Sequence, residues 1–135
     1  MADYRETVDY ILGIPLFAQK IGKENLSSLL CRLGNPEKAV PAIHVAGTNG
    51  KGSTCRALAQ MLAARGYRVG LFISPHLVSI NERIQINGTN ISDDDFVSAF
   101  ETVKGQFMEH PSFFEVMFAM AAVYFRQQKC DFAVY

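Results

Sequence analysis

The chain has 135 residues, enough for one domain with its own core, and its 49% hydrophobic and 19% charged content is that of an ordinary globular protein. Thirteen basic residues cancel 13 acidic ones, which removes any global electrostatic case for nucleic acid or an acidic membrane. No apolar run approaches the roughly 20 residues that cross a bilayer, the polar start Met1-Ala2-Asp3-Tyr4-Arg5-Glu6 is not a signal peptide, and Cys31, Cys55 and Cys130 are too scattered for a disulfide framework or zinc knuckle, so a reducing cytoplasm is the simplest location.

Residues 3–13 read as a helix with Val8, Ile11 and Leu12 on one side, interrupted by Pro15. Leu16 to Gly22 reads as a loop. A second helix runs from about Lys23 to Leu33, with Leu26, Leu29, Leu30 and Leu33 at helical spacing and Gly34 as its stop. Asn35-Pro36 marks a turn. Ala42-Ile43-His44-Val45-Ala46 reads as a short buried strand, with His44 a hydrogen-bonded core histidine. A glycine-rich loop follows, then a helix from about Gly52 to Arg65 with Leu58, Met61 and Leu62 inward and Gly66 closing it. Arg68 to Ile73 is the next strand. Strand, loop, helix and strand form a βαβ unit, which implies a parallel sheet and a right-handed crossover.

Arg83 to Ser92 holds Ile84, Ile86 and Ile91 around Asn87-Gly88, a hairpin signal. Ser92 caps the next helix, Asp93 to Asp95 suit its dipole, and Phe96, Phe100, Val103 and Phe107 mark its buried side. A helix from about Ser112 to Gln128 is apolar almost all round and should lie deep in the core. Asp131 to Tyr135 begins a strand. A chain stopping there looks like a cut domain, with an unfinished sheet edge open to pairing with another chain. Ligand-binding residues in such folds lie just beyond the carboxyl ends of strands.

The sharpest chemical signal is Gly47-Thr48-Asn49-Gly50-Lys51-Gly52-Ser53. Phosphate needs close backbone approach and positive potential. A glycine loop entering a helix N-terminus supplies free N–H groups and the positive dipole end. Lys51 is placed to reach the β- and γ-phosphates, and Ser53 or Thr54 offers a hydroxyl. The loop departs from the strict Walker A pattern. Two residues, not four, separate Gly47 from Gly50-Lys51, and Gly52 precedes Ser53.

His44 to Thr54 resembles the ATP loop of the Mur-ligase superfamily, and its Gly-Lys-Gly-Ser version is that of the folylpolyglutamate and dihydrofolate synthases. Mur peptidoglycan ligases usually carry Thr directly after Gly-Lys. Ile73-Ser74-Pro75-His76-Leu77, Asn81-Glu82-Arg83-Ile84 and Phe113-Phe114-Glu115 with Ala119 and Tyr124-Phe125 resemble three further segments of the same family, in order and at its spacing. The resemblance covers essentially the whole chain.

The resemblance implies an α/β fold: a P-loop-containing three-layer sandwich with a mainly parallel sheet, truncated after its third or fourth core strand. It divides the chain into a helical lead-in at 1–40 and a P-loop core at 41–135, the amino-terminal part of an ATP-binding domain without its C-terminal domain. It also implies an ATP- and Mg²⁺-dependent ligase. ATP phosphorylates the carboxylate of folate or dihydropteroate, and the amine of L-glutamate attacks the acyl phosphate. The parent would be a cytoplasmic monomer with no nucleic-acid or membrane partner.

Carried over residue by residue, Gly47, Thr48, Asn49, Gly50, Lys51, Gly52 and Ser53 hold the ATP phosphates, with Lys51 the catalytic cation. Ser74 matches a Mg²⁺-ligating serine; on the residues alone it reads as a hydroxyl at a strand end. Ser112, Phe113, Phe114 and Glu115 match a pterin-contacting segment. A carboxylate on so apolar a helix needs a partner, although aromatics at this spacing are more usually core. Gln19, Lys20, Ile21 and Gly22 match a second pterin-side segment less closely. His76, in a ligand-facing loop, and Arg83 are further candidates. Glu82 and Arg83 form a local ion pair or order the loop after Leu77. His110 reads as a solvated helix end. The family's carboxylate metal ligand, later lysine and histidine, and C-terminal domain have no counterpart in these residues. The expectation is therefore half a catalytic site, without ligase activity in isolation. The competing readings are a Mur-type ligase with another acceptor, disfavoured by Gly52 and the Phe-Glu helix, and a non-catalytic nucleotide-binding module.

Overall fold

The structure, a computed structural model, describes residues 3–14, 23–45, 51–74, 76, 78–107 and 111–135. Helix α1 (Tyr4–Leu12) is capped by Asp3, whose side chain accepts from the Glu6 N–H at 2.8 Å. Helix α2 (Lys23–Arg32) ends where Gly34 turns left-handed at φ 85°. There Asn35 N–H reaches Leu30 O at 2.8 Å and Gly34 N–H reaches Cys31 O at 3.0 Å, the two bonds of a Schellman stop. Strand β1 (Ala42–Ile43) precedes α3 (Lys51–Ala64), which ends the same way at Gly66. Strands β2 (Val69–Phe72), β3 (Ile84–Ile86) and β4 (Thr89–Asn90), helices α4 (Asp93–Lys104) and α5 (Phe113–Gln127), and β5 (Phe132–Val134) follow.

Five strands form one sheet in the order β1-β5-β2-β3-β4 among the described residues. The pairings β1–β5 and β5–β2 are parallel; β2–β3 and β3–β4 are antiparallel. The sheet is therefore mixed rather than mainly parallel. Among the described residues only a short 3₁₀ turn, and no α-helix, lies between β2 and β3 to carry the chain back across the sheet, and it returns antiparallel. The hairpin turns at Asn87 (φ 49°) and Gly88 (φ 81°), both left-handed, as a two-residue hairpin requires. The βαβ unit is present, but β5 inserts between its two strands. The strand expected at an unfinished edge is thus paired on both sides, by β1 and β2, and Ala133 and Val134 are fully buried there.

Residues alternate between two faces. Val69, Leu71, Ile73 and Val134 point toward α3, with Cys55 and Ala59. Phe72 and Ala133 point toward a much larger cluster contributed by α1, α2, α4 and α5. Ile11, Leu29, Leu30, Leu33 and Val40 belong to that cluster, so the described part of the first 40 residues packs into the main core. At Gly70 α5 leaves no room for a side chain: a Cβ there would lie 2.5 Å from a ring carbon of Phe125.

Three inward assignments fail. Met61 is 66% exposed, because the α3 stripe runs through Cys55, Ala59 and Leu62, and at about 100° per residue Met61 lies well off that line. Leu12 is 53% exposed, while Thr7 and Ile11 form the buried side of α1. His44 is exposed beyond the end of the edge strand β1, and its ring stacks on Tyr135 at 5.6 Å and 23°. No described helix is long and apolar enough to cross a membrane.

Candidate functional site at the strand ends

Three elements meet at the carboxyl end of the parallel strands, the usual ligand edge of an α/β sheet. Helix α3 begins there, and its Cys55 Sγ lies 3.9 Å from the carbonyl of Tyr135, just past β5. Strand β2 ends there and leads to Ser74. Helix α5 begins there, with Phe114 and Phe118 against Phe72 and Tyr135.

Lys51 and Gly52 lie in the first turn of α3, and Ser53 is exposed beside them. Gly47, Thr48, Asn49 and Gly50 fall outside the described residues, as do Gln19, Lys20, Ile21, Gly22 and His110. Ser74 is exposed directly after Ile73. Among the described residues no cluster of three His, Cys, Asp or Glu side chains forms a metal cage.

Three of the matched segments converge on one cluster. Arg83 donates through Nε to His76 Nδ1 at 2.8 Å, and its guanidinium lies 4.9 Å from the centroid of the Phe113 ring. A guanidinium is always a donor, so neutral His76 must carry its ring proton on Nε2, leaving that N–H for another acceptor. Burial, reinforced by the nearby Arg83 charge and opposed by Glu82, holds the His76 pKa below its ordinary value of 6.5. Burial lowers Arg83 too, but a guanidinium stays charged at physiological pH.

Local hydrogen bonds hold the segment that carries Arg83. A short 3₁₀ turn spans Ile80–Arg83 with Ser79 as its cap. The Glu82 carboxylate accepts from Val78 N–H at 2.9 Å and Ser79 N–H at 2.7 Å, so Glu82 orders the loop after Leu77. In the sequence Asn81 stands out only as the first residue of the Asn81-Glu82-Arg83-Ile84 match, and its own role comes from packing. It is 5% exposed and links the turn to Tyr4, Ser79, Ile91 and Asp93. The visible signal was Ser79-Ile80-Asn81-Glu82, a capping-box pattern.

The second convergence is at the start of α5. Ser112 caps the helix, accepting from Glu115 N–H at 3.2 Å, while the Glu115 carboxylate accepts from Ser112 N–H at 2.8 Å. Ser112, Phe113 and Glu115 are buried; Phe114 is 52% exposed. The partner that Glu115 requires is therefore supplied, at least in part, by its own helix cap. Phe114 is the aromatic face turned outward.

No family model matches the chain. Individual proteins do. The chain is 39% identical over 140 residues to a dihydrofolate synthase/folylpolyglutamate synthase of Bacillus subtilis (strain 168), covering 98% of this chain and 33% of that protein. It superposes on the folylpolyglutamate synthetase of Lactobacillus casei with a TM-score of 0.93 at 39% identity, over 99% of this chain and 36% of the other. The chain belongs to the folylpolyglutamate/dihydrofolate synthase family. It spans about a third of the length of the curated relatives it matches. A solved FPGS–AMPPCP–folate complex matches over 99% of this chain and 35% of that one, at 39% identity and a TM-score of 0.91. The α/β architecture with a mixed sheet is thus the one this synthase family uses.

Proposed function

We propose that these residues form the ATP- and folate-binding part of a ligase that joins L-glutamate to a folate, and to dihydropteroate, through an acyl-phosphate intermediate. The observation that carries the reading is the likeness, over nearly the whole chain, to a synthase solved with AMPPCP and folate. In this reading Gly47 to Ser53 cradle the ATP phosphates, and the Lys51 ammonium neutralises charge that develops on the transferring phosphoryl group.

Ser74 offers one exposed hydroxyl where β2 ends. That suits Mg²⁺ bound mainly through phosphate oxygens and water, the ordinary habit of this ion in nucleotide sites. When bound, Mg²⁺ would screen the phosphate charge. Phe114 presents a ring for stacking on the flat pterin, with Ser112 and Glu115 fixing the start of its helix and Gln19 to Gly22 as a second pterin-side segment. His76 and Arg83 supply an N–H donor and a positive charge for the acidic end of the substrate. Thr48, Asn49 and Gly50 contribute backbone N–H groups at the dipole end of α3.

The 135 residues are a third of the relatives' length, and we assign glutamate ligation to a protein longer than this. Titration calorimetry with Mg²⁺–AMPPCP tests the nucleotide part: Lys51→Ala should weaken binding at least tenfold without lowering the melting temperature. Unchanged affinity would remove Lys51 from the site. Glutamate-dependent ADP release by these residues alone would overturn the division of labour.

A further inference from the structure

Asn81 uses the whole hydrogen-bonding capacity of its side chain. Its Oδ1 accepts from the Tyr4 hydroxyl and from Ser79 Oγ at 3.0 Å. Its Nδ2 donates to Ile91 O at 2.8 Å and to Asp93 Oδ1 at 3.0 Å. One buried amide therefore ties together the 3₁₀ turn, the end of the hairpin, the start of α4 and, from far away in sequence, α1. Two residues further on, Arg83 closes the turn and holds His76 and Phe113.

Packing alone would anchor α1. The Tyr4 ring already meets Phe96 edge-on at 5.8 Å and 68°. The hydroxyl adds direction, because a satisfied buried polar network permits one arrangement where apolar contacts tolerate several. We infer that Tyr4 and Asn81 are positioning residues for the Arg83–His76–Phe113 cluster, so that α1, remote in sequence from those three residues, sets the geometry of the substrate side of the site. This rests on the folate reading above for its ligand, and on the hydrogen bonds alone for its geometry.

The test uses Tyr4→Phe, which keeps the ring against Phe96 and deletes one donor, in the intact protein. Three quantities are measured: the folate dissociation constant, the side-chain ¹⁵N resonances of His76, and the melting temperature. The expected result is a folate constant raised about three- to tenfold, the scale of one lost hydrogen bond. The His76 Nδ1 resonance should move toward that of an unbonded imidazole, and melting should shift only a few degrees. Asn81→Asp, which keeps the acceptor but sets a carboxylate beside Asp93, should move the same two site readouts further. A lower melting temperature with folate affinity and His76 resonances unchanged would make the network a structural anchor and sink the inference. If the unsubstituted protein binds no folate while Tyr4→Phe still shifts His76, the positioning role stands and the folate reading fails.

Discussion

On one face of the sheet, α5 runs with Val116, Met117, Ala119, Met120 and Val123 fully buried, covered by α4, α1 and α2. On the other, α3 is the only described helix that presses onto the sheet, setting Cys55 and Ala59 against Val69, Leu71 and Val134. The difference is one of purpose as well as size. The thick face carries Phe113, Phe114, Arg83 and His76, which in the proposed function hold a shape against a rigid ring. The thin face carries Lys51 and Ser53, which in the proposed function serve phosphate groups through a loop and a helix end. Shape recognition needs an immobile scaffold; charge recognition tolerates a looser one.

Substitutions should expose this inequality. The largest effect belongs to Gly70→Ala, which drives a methyl into the Phe125 ring. Overpacking of this kind costs about 3 kcal/mol, and urea unfolding should register it as a marked fall in midpoint. Next, Met117→Ala on the thick face should cost about 2 kcal/mol, while Leu58→Ala on the half-buried flank of α3 should cost about 1 kcal/mol. Equal losses would show that the two faces are held alike. The smallest effect is a gain. Helix α5 ends in the same Schellman bonds as α2 and α3, but with Lys129 rather than glycine at the left-handed position, φ 53°. Lys129→Gly should raise stability by about 0.5–1 kcal/mol in thermal melts.

Alkaline pH sharpens the same contrast without substitution. Burial pushes the Cys130 thiol up to about 11 and raises the Tyr124 and Tyr135 hydroxyls above their ordinary 10.0, and all three lie on the thick face. Unfolding returns them to ordinary values, so above about pH 9 the unfolded chain sheds protons that the folded one keeps. Stability is therefore complete below that pH and falls as pH rises through it, which denaturant midpoints across pH 8–10.5 would record.

Much of this was legible in the sequence because it is local. Gly34 and Gly66 as helix stops, Ser92 as a cap, and Asn87-Gly88 as the hairpin turn are each decided within a few residues. Strand order was not, because β5 reaches its place between β1 and β2 only through contacts some 60 to 90 residues away along the chain. The candidate site divides the same way. Each segment was readable alone, but the joining of His76 to Arg83 across a turn, and of Asn81 to Tyr4 across the core, depends on tertiary packing. Glu115 is instructive. Ser112-Phe113-Phe114-Glu115 matches a pterin-side segment and is equally a capping box, and the cap now accounts for at least part of the carboxylate's bonding.

The place of β5 also bears on how the chain acquires its structure. β1 and β2 have no direct bond to each other. During synthesis both leave the ribosome long before residues 132–134, and until those arrive the parallel part of the sheet has no centre. The apolar side of α5 is complete in the meantime and has little sheet to close upon. Folding here should therefore be late and steep rather than progressive, with the exposed helix as the surface a chaperone would meet first.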